Sequence, residues 1–278
     1  MKSRITGSLS INKPENHMLK ILIRGSGDIG SAVAWQLFTA GHNIVLHDTP
    51  QPATTRRKMA FTDAIFDGSA LLEGLEARRV DDLSRLESLL AERVFIPLLV
   101  CEFDTLLRAL RPQILVDARM RKHSEPENQI HLAPLTIGLG PNFSAGENIH
   151  LAIETRRGVD LGQVITRGST RPLQGEPAEL DGIGRERYVY APAAGLFRTN
   201  CQIGQTVTQG QVIAHLDQTA LSAPLSGVLR GLTHDDIPVS ARAKLIEIDP
   251  RGPQAQISGI AARPARIAQG VLEALLLN

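Results

Sequence analysis

Residues 19–48 have the sequence LKILIRGSGDIGSAVAWQLFTAGHNIVLHD, and this stretch decides the fold. An apolar run at 19–23 leads into a segment with three glycines at 25–30, and a helical pattern of apolar residues follows. A second apolar run then ends on an acid, Asp48. Short apolar runs that alternate with a helical pattern are typical of parallel strands joined by crossover helices. The stretch therefore predicts a strand, a tight glycine turn, a helix and a neighbouring strand.

Each part of this stretch has a physical role in a Rossmann dinucleotide site. Gly25 allows the tight turn, Gly27 lets the backbone approach a pyrophosphate, and Gly30 lets the helix pack closely on the strand. An acid about 20 residues further on, here Asp48, accepts hydrogen bonds from the adenosine ribose. The motif predicts a site for NAD, with NADP as the alternative because a nearby arginine can pair with a 2′-phosphate. The predicted cofactor-binding residues are Gly25, Ser26, Gly27, Asp28, Ile29, Gly30, Asp48 and Arg57.

Composition narrows the classes of partner. The chain has 278 residues, a formal net charge of +1 and 42% hydrophobic residues. This balance gives no basis for nucleic-acid binding, and no apolar run approaches the roughly 20 residues of a membrane helix. Two cysteines argue against a disulfide framework and favour a cytoplasmic location. The polar segment 1–18 is expected to be a flexible N-terminal extension, with Met18 as an alternative start.

The rest of the chain divides by pattern into four parts. Apolar and helical segments alternate over 19–134, which predicts an α/β, Rossmann-like domain with a parallel sheet. Segment 135–187 contains connecting strands and loops with the motif GLGPNF. A β-rich module is expected at 188–252, and 253–278 should contain a C-terminal helix.

The β-rich module contains an internal repeat. Ala191-Pro192-Ala193-Ala194-Gly195 recurs 32 residues later as Ala223-Pro224-Leu225-Ser226-Gly227. Each unit is too small to bury a core alone, so the two copies should pack together. The repeat resembles the barrel-sandwich modules of biotinyl and lipoyl carriers, which attach their cofactor to a lysine between the copies. The matching segment 215–221 contains no lysine, so neither biotin nor lipoate is expected.

Two groups of residues are candidates for chemistry. On a strand over 149–155, His150 and Glu154 would lie on one face. They could act as acid and base, bind an anion or a metal, or form an ordinary half-buried polar pair. Asp117 ends a predicted strand, where ligands of open α/β sheets gather, although it could equally form a structural ion pair with Arg119. The predicted catalytic residues are His150, Glu154 and Asp117. No Cys/His spacing typical of zinc occurs, so no metal site is predicted.

Several motifs together resemble the accessory proteins of the selenium-dependent molybdenum hydroxylase system, distant relatives of the xanthine dehydrogenase accessory proteins. The similarity runs from about Lys20 to the C-terminus. It is carried by the segments 23–29, 51–57, 61–68, 117–119, 137–146 and 150–158, by the Ala-Pro-x-x-Gly repeat, and by 227–232 and 248–251. The resemblance implies a partner that is a molybdenum hydroxylase or its cofactor-maturation machinery.

Three functions follow from these expectations. The first is a cytoplasmic NAD-binding maturation factor for a molybdenum-containing hydroxylase. The second is an NAD-dependent oxidoreductase of a small molecule, in which His150 and Glu154 exchange protons. The third is a dinucleotide-sensing scaffold without catalysis. Sequence leaves open which of these holds, whether the protein is an enzyme, and whether it forms a homo-oligomer.

Overall fold

The computed structural model describes residues 18–121, 124–172 and 177–277. Within these ranges the chain forms one large sheet with helices on both faces, followed by two small sheets. The large sheet has nine strands: β1 (Lys20–Arg24), β2 (Asn43–His47), β3 (Ser69–Leu72), β4 (Leu75–Arg79), β5 (Ile96–Leu99), β6 (Ile114–Asp117), β7 (Leu135–Leu139), β9 (Leu151–Ile153) and β10 (Val164–Ile165). Outside it, β8 (Ser144–Ala145) pairs with β11 (Gly168–Ser169).

The strand order of the large sheet is β10-β9-β7-β6-β1-β2-β5-β4-β3. Strands β9 to β4 in this order are parallel, whereas β10 and β3 pair antiparallel with their neighbours. The sheet is therefore mixed, and the prediction of a Rossmann-like domain with a parallel sheet is wrong. The physical reason lies at the edges, where chain reversals after β3 and β9 return the next strand in the opposite direction.

Alternation of side chains along the strands builds two cores on opposite faces of the sheet. Ile21 and Ile23 of β1 contribute to the core under α1 (Asp28–Thr39) and α5 (Ala262–Leu275), which pack against each other. Leu22 contributes to the opposite core, under α3 (Leu86–Glu92) and α4 (Phe103–Leu110). The short α2 (Ala64–Asp67) lies against β3 and β4.

The remaining strands form two four-stranded sheets around one shared core. They are β12 (Tyr188–Tyr190), β13 (Gly195–Arg198), β14 (Thr206–Val207), β15 (Val212–Leu216), β16 (Thr219–Ser222), β17 (Gly227–Leu232), β18 (Ile237–Val239) and β19 (Lys244–Asp249). The two sheet orders are β12-β19-β17-β14 and β16-β15-β13-β18. Each strand of the first sheet lies 32 residues, forward or backward in sequence, from the strand at the same place in the second sheet. Each sheet therefore contains strands from both copies of the repeat. We call this part, residues 188–249, the β module.

No helix in the described ranges is long and apolar enough to cross a membrane.

Candidate functional site

A cleft of about 820 Å³ lies where the large sheet meets the β module. One wall is formed by loops after the carboxyl ends of β1, β2, β6, β7 and β9, together with the start of α5. The other is formed by β12, the start of β19 and the segment before β12. Parallel strands end at the same edge of a sheet, so distant segments converge here.

Basic side chains dominate the lining of the cleft. Among the described residues that line it, nine are cationic and three are acidic. The cations are Arg56, Arg119, Arg156, Arg157, Arg171, Arg185, Arg242, Lys244 and Arg263, and the acids are Asp28, Asp48 and Glu154. This local excess of positive charge contrasts with the net charge of +1 for the whole chain. Such a cleft attracts and concentrates anions.

Several of these arginines have no acidic partner. The side chains of Arg156, Arg157 and Arg242 make no hydrogen bond or ion pair in the described part of the chain. Arg263 donates through Nε and Nη2 to the Thr155 carbonyl oxygen, at 3.1 and 2.9 Å, and to no carboxylate among those residues. None of these four cations is bonded to a carboxylate among the described residues, although Asp28 and Glu154 lie near enough to Arg263 to offset part of its charge.

Mutual repulsion adds to this imbalance. Desolvation by the surrounding protein, followed by repulsion from Arg56, lowers the pKa of Arg157. Burial also lowers the pKa of Arg263; Asp28 opposes the shift, while Arg157 and Arg56 reinforce it. An anion bound between these guanidinium groups would relieve the repulsion.

The glycine-rich turn borders the same cleft. Gly25 has φ of 103°, which favours glycine, and a Cβ at Gly30 would overlap the Gly25 carbonyl oxygen. Gly27 precedes α1, and a Cβ there would meet nothing within 4 Å. No side chain caps the N-terminus of α1. The amides of Ser26 and Ile29 donate to the carboxylates of Asp48 and Asp28, so what the turn presents to the cleft is the open space at Gly27.

Glu154 has a positioning role in the sheet wall. Its side chain is buried, and its carboxylate accepts hydrogen bonds from the backbone amides of Arg156 at 2.7 Å and Arg171 at 2.8 Å. Both carboxylate oxygens are thereby engaged by the backbone. Glu154 fixes the path of the loop that carries Arg156 and Arg157.

A buried ionic cluster joins the two walls. Glu247 is fully buried and bonds to Arg56 through two nitrogens at 3.0 and 3.1 Å, to Arg187 at 2.6 Å and to Arg230 at 2.9 Å. Arg56 also reaches Asp28 of α1 at 3.3 Å. Burial alone would raise the pKa of Glu247, but the surrounding cations outweigh it and hold that pKa well below its usual range.

The predicted cofactor residues take mostly internal partners. The Asp48 carboxylate accepts hydrogen bonds from the Ser26 amide at 2.7 Å and the Ser26 hydroxyl at 2.6 Å. Arg57 pairs with Asp63 at 2.6 Å and does not line the cleft. Asp48, the acid that was expected to bind a ribose, is thus hydrogen-bonded to the glycine-rich turn.

The structure separates the three predicted catalytic residues. His150 lies before β9, where its Nδ1 is 2.8 Å from the Thr136 hydroxyl near the start of β7. Glu154 follows the opposite end of β9 and lines the cleft. Asp117 is 2% exposed and is bound by Arg119 and Gln129 beside the cleft. His150 and Glu154 are therefore at opposite ends of the strand, and His150 is outside the cleft lining.

Sequence reasoning did not find the main features of the site. Arg242, Arg263 and Glu247 lie far from the glycine motif in sequence, and only the fold brings them to it. The pair Arg156-Arg157 is separated from the end of β9 by two residues, and this local signal could have been used. In the described residues, no group of three or more His, Cys, Asp or Glu could hold a metal ion.

Comparison with known proteins gives one close sequence relative. The chain is 39% identical over 279 aligned residues to the "Uncharacterized protein YqeB" of Escherichia coli (strain K12). That alignment takes in all of this chain but 51% of the relative, so the chain spans about half of its length. The similarity supports a YqeB-type family and provides no link to molybdenum hydroxylases. No family model matches the chain.

Solved structures give weaker similarities. An aspartoacylase family protein from Mesorhizobium loti is 12% identical, with 84% of this chain and 85% of that chain covered and a TM-score of 0.25. A succinylglutamate desuccinylase/aspartoacylase from Rhodobacter sphaeroides is 14% identical, with 83% and 85% covered and a TM-score of 0.25. At these TM-scores neither an activity nor a ligand carries over to this chain.

These findings correct the functional expectations. The predictions of a Rossmann NAD-binding domain and of NAD or NADP as cofactor are wrong: the sheet is mixed, the Asp48 carboxylate is bonded to Ser26, and the uncharacterised sequence relative offers no support for them. The maturation factor, the NAD-dependent oxidoreductase and the dinucleotide-sensing scaffold are withdrawn with them. The barrel-sandwich assignment has no support in these comparisons either; what the structure shows is two four-stranded sheets around one shared core. Asp48, held by Ser26, gives a physical reason for the cofactor correction.

Proposed function

We propose that this protein binds a small, multiply charged anion in the arginine-lined cleft. The observation that carries the proposal is the set of four lining arginines without a carboxylate partner in the described residues: Arg156, Arg157, Arg242 and Arg263. Arg156 and Arg263 are half-buried and Arg157 and Arg242 are exposed to the cleft, so four like charges line one cavity and an anion that binds there is attracted by all of them. Guanidinium groups bind phosphate and carboxylate oxygens in a forked geometry.

The lining favours binding over catalysis. Among the described residues of the cleft there is no histidine, cysteine or serine, the side chains that most often serve as acid–base or nucleophilic groups. The buried Glu154 has both carboxylate oxygens engaged by backbone amides. The cleft therefore resembles a recognition site whose specificity lies in charge and shape. We place this binding protein in the cytoplasm, in keeping with its two free cysteines.

Isothermal titration calorimetry with sodium pyrophosphate, at constant ionic strength, tests the proposal. Wild-type protein should bind pyrophosphate, and Arg157→Gln should weaken binding about tenfold, since one charge-assisted contact is lost. Arg157 makes no bond in the described residues, so its replacement should leave the fold intact.

Arg167→Gln is the matched control. Arg167 is exposed, is outside the cleft lining and undergoes the same change of charge. This variant should bind like the wild type. Absence of pyrophosphate binding, or equal weakening by Arg157→Gln and Arg167→Gln, would overturn the proposal.

A further inference from the structure

The unpartnered arginines are divided between the two walls of the cleft. Arg156, Arg157 and Arg263 belong to the sheet wall, because the first two follow β9 and the third begins α5. Arg242 belongs to the β module, in the turn before β19. A ligand that contacts all four arginines must therefore contact both walls.

We infer that the ligand is an elongated polyanion of the linear polyphosphate type, which bridges the sheet wall and the β module. This inference rests on the proposed function and names the ligand class of the same site. The cleft of about 820 Å³ lies within the range of roughly 300–1,000 Å³ that suits ligands far larger than one phosphate. The four unpartnered arginines match the charge of a tripolyphosphate, which carries about four negative charges near neutral pH.

The backbone at Arg242 supports a role for its side chain. Arg242 has φ of 66°, in the left-handed region that glycine adopts without strain and that L-residues rarely occupy. Its backbone amide bonds to the Ala191 carbonyl oxygen at 2.8 Å, which fixes the turn, whereas its side chain has no bond in the described residues. An exposed arginine at a position that favours glycine contributes nothing visible to the fold. Its position in the cleft lining is what distinguishes it from Arg111, which is also exposed and at positive φ but lies outside the cleft, and places its guanidinium where it can contact a bound anion.

Arg56 links the same two walls beneath the ligand position. It bonds at once to Asp28 at the start of α1 and to Glu247 on β19. This connection holds the walls at a set separation before the ligand arrives. In such a preformed cleft, a ligand long enough to contact both walls gains contacts that a single small anion does not make.

Calorimetry with orthophosphate, pyrophosphate and tripolyphosphate at constant ionic strength tests the inference. Affinity should rise along the series, by at least tenfold from orthophosphate to tripolyphosphate. Arg242→Gly should weaken tripolyphosphate binding at least fivefold and change orthophosphate binding less than twofold. Its thermal unfolding temperature should equal or exceed that of the wild type, because glycine removes the backbone strain. Arg167→Gln, as control, should leave the whole series unchanged.

The outcomes separate this inference from the proposed function. Equal affinity for orthophosphate and tripolyphosphate, or unchanged tripolyphosphate binding in Arg242→Gly, would overturn the bridging ligand while anion binding in the cleft stands. If none of the three anions binds, the proposed function fails as well. A loss of orthophosphate and tripolyphosphate affinity in equal proportion would place Arg242 in a single-anion site and also overturn the bridge.

Discussion

At the scale of single residues, the glycine motif serves packing as well as any ligand. A Cβ at Gly30 would overlap the backbone oxygen of Gly25 and come within 3.3 Å of the Ala118 side chain. Backbone atoms of a tight turn cannot move aside cheaply. Gly27, by contrast, has open space around it and an ordinary φ of −67°. The two glycines of one motif should thus respond very differently to substitution.

We expect Gly30→Ala to lower the free energy of unfolding by about 3 kcal/mol, the upper part of the usual range for overpacking. Gly27→Ser should be neutral or slightly stabilising, because serine is a favoured residue at a helix N-cap and fits the space. Urea denaturation of both variants provides the measurement. A Gly30→Ala protein as stable as Gly27→Ser would contradict the close packing of α1 on the turn.

Glu247 is a single buried carboxylate that binds three arginines from separate parts of the sequence. Its replacement by Gln would leave Arg187, which is 1% exposed, without its carboxylate partner. Removing one member of a buried ion pair typically costs about 3–5 kcal/mol. We expect Glu247→Gln to lose stability of this order at pH 7 in urea denaturation. The exposed Glu87, paired with Lys20 at the surface, provides the control Glu87→Gln, which should lose less than about 1 kcal/mol.

The same residue predicts a pH dependence. The pKa of Glu247 is lowered in the folded protein, so the folded chain binds this proton more weakly than the unfolded chain. Its stabilising effect is therefore complete above the unfolded pKa of about 4.3 and is lost as the pH falls below it. The stability gap between wild type and Glu247→Gln should shrink by up to about 1.4 kcal/mol per pH unit below that point. A constant gap between pH 7 and pH 3 would rule out this linkage.

At the scale of elements, local patterns predicted where many strands and helices lie. The apolar runs at 19–23 and 114–117 are found as β1 and β6, because buried strands need continuous apolar sequence. The 32-residue repeat recurs as matched strands in the two small sheets. Pairing direction was not predictable: β3 and β4 form an antiparallel hairpin over 69–79, inside a region whose pattern predicted a parallel sheet. Periodicity identifies a strand without specifying its partner.

The candidate site was less predictable than its framework. The glycine turn and Glu154 were found, since each follows a strand in the sequence. The arginines at 157, 242 and 263 have no shared local pattern, and they meet only because the β module and α5 return to the carboxyl edge of the sheet. Asp48 shows a different limit: its spacing from the glycines fits a ribose contact, whereas in the structure its carboxylate lines the cleft and is bonded to Ser26. A motif's spacing does not identify the partner of its side chain.

The two copies of the repeat differ in the atoms that surround one equivalent glycine, which is Gly195 in the first copy and Gly227 in the second. A Cβ on Gly195 would overlap the carboxylate of Asp217, a flexible side chain, while one on Gly227 would overlap the backbone oxygen of Asp249. Side chains can rotate away, but a strand backbone cannot. We expect Gly227→Ala to cost at least about 1 kcal/mol more than Gly195→Ala in thermal unfolding. Equal costs would indicate that the two copies still pack alike at this position.

At the scale of the whole molecule, the segment 55–66 fastens the large sheet to the β module. The Thr55 carbonyl oxygen accepts a hydrogen bond from the Leu232 amide at 2.7 Å. Lys58 donates to the Ile203 carbonyl oxygen at 3.1 Å, and Phe66 stacks on His234 with ring centroids 4.1 Å apart. Arg56 adds a buried salt bridge to Glu247, whereas the contacts of Thr55, Lys58 and Phe66 named above are not salt bridges. The two parts should therefore unfold together.

Arg56→Gln should weaken this coupling. The variant loses two bonds to Glu247 and one to Asp28, but Glu247 keeps Arg187 and Arg230, so the predicted loss is about 1–3 kcal/mol. Calorimetry should show one transition for the wild type and, for the variant, a broadened or split transition with a lower first midpoint. Hydrogen exchange should quicken in β12 and β19 and remain unchanged in β1 and β6, because only the module side loses its anchor. An Arg56→Gln protein that unfolds in one transition at the wild-type midpoint would mean that the remaining contacts of 55–66 suffice to hold the molecule together.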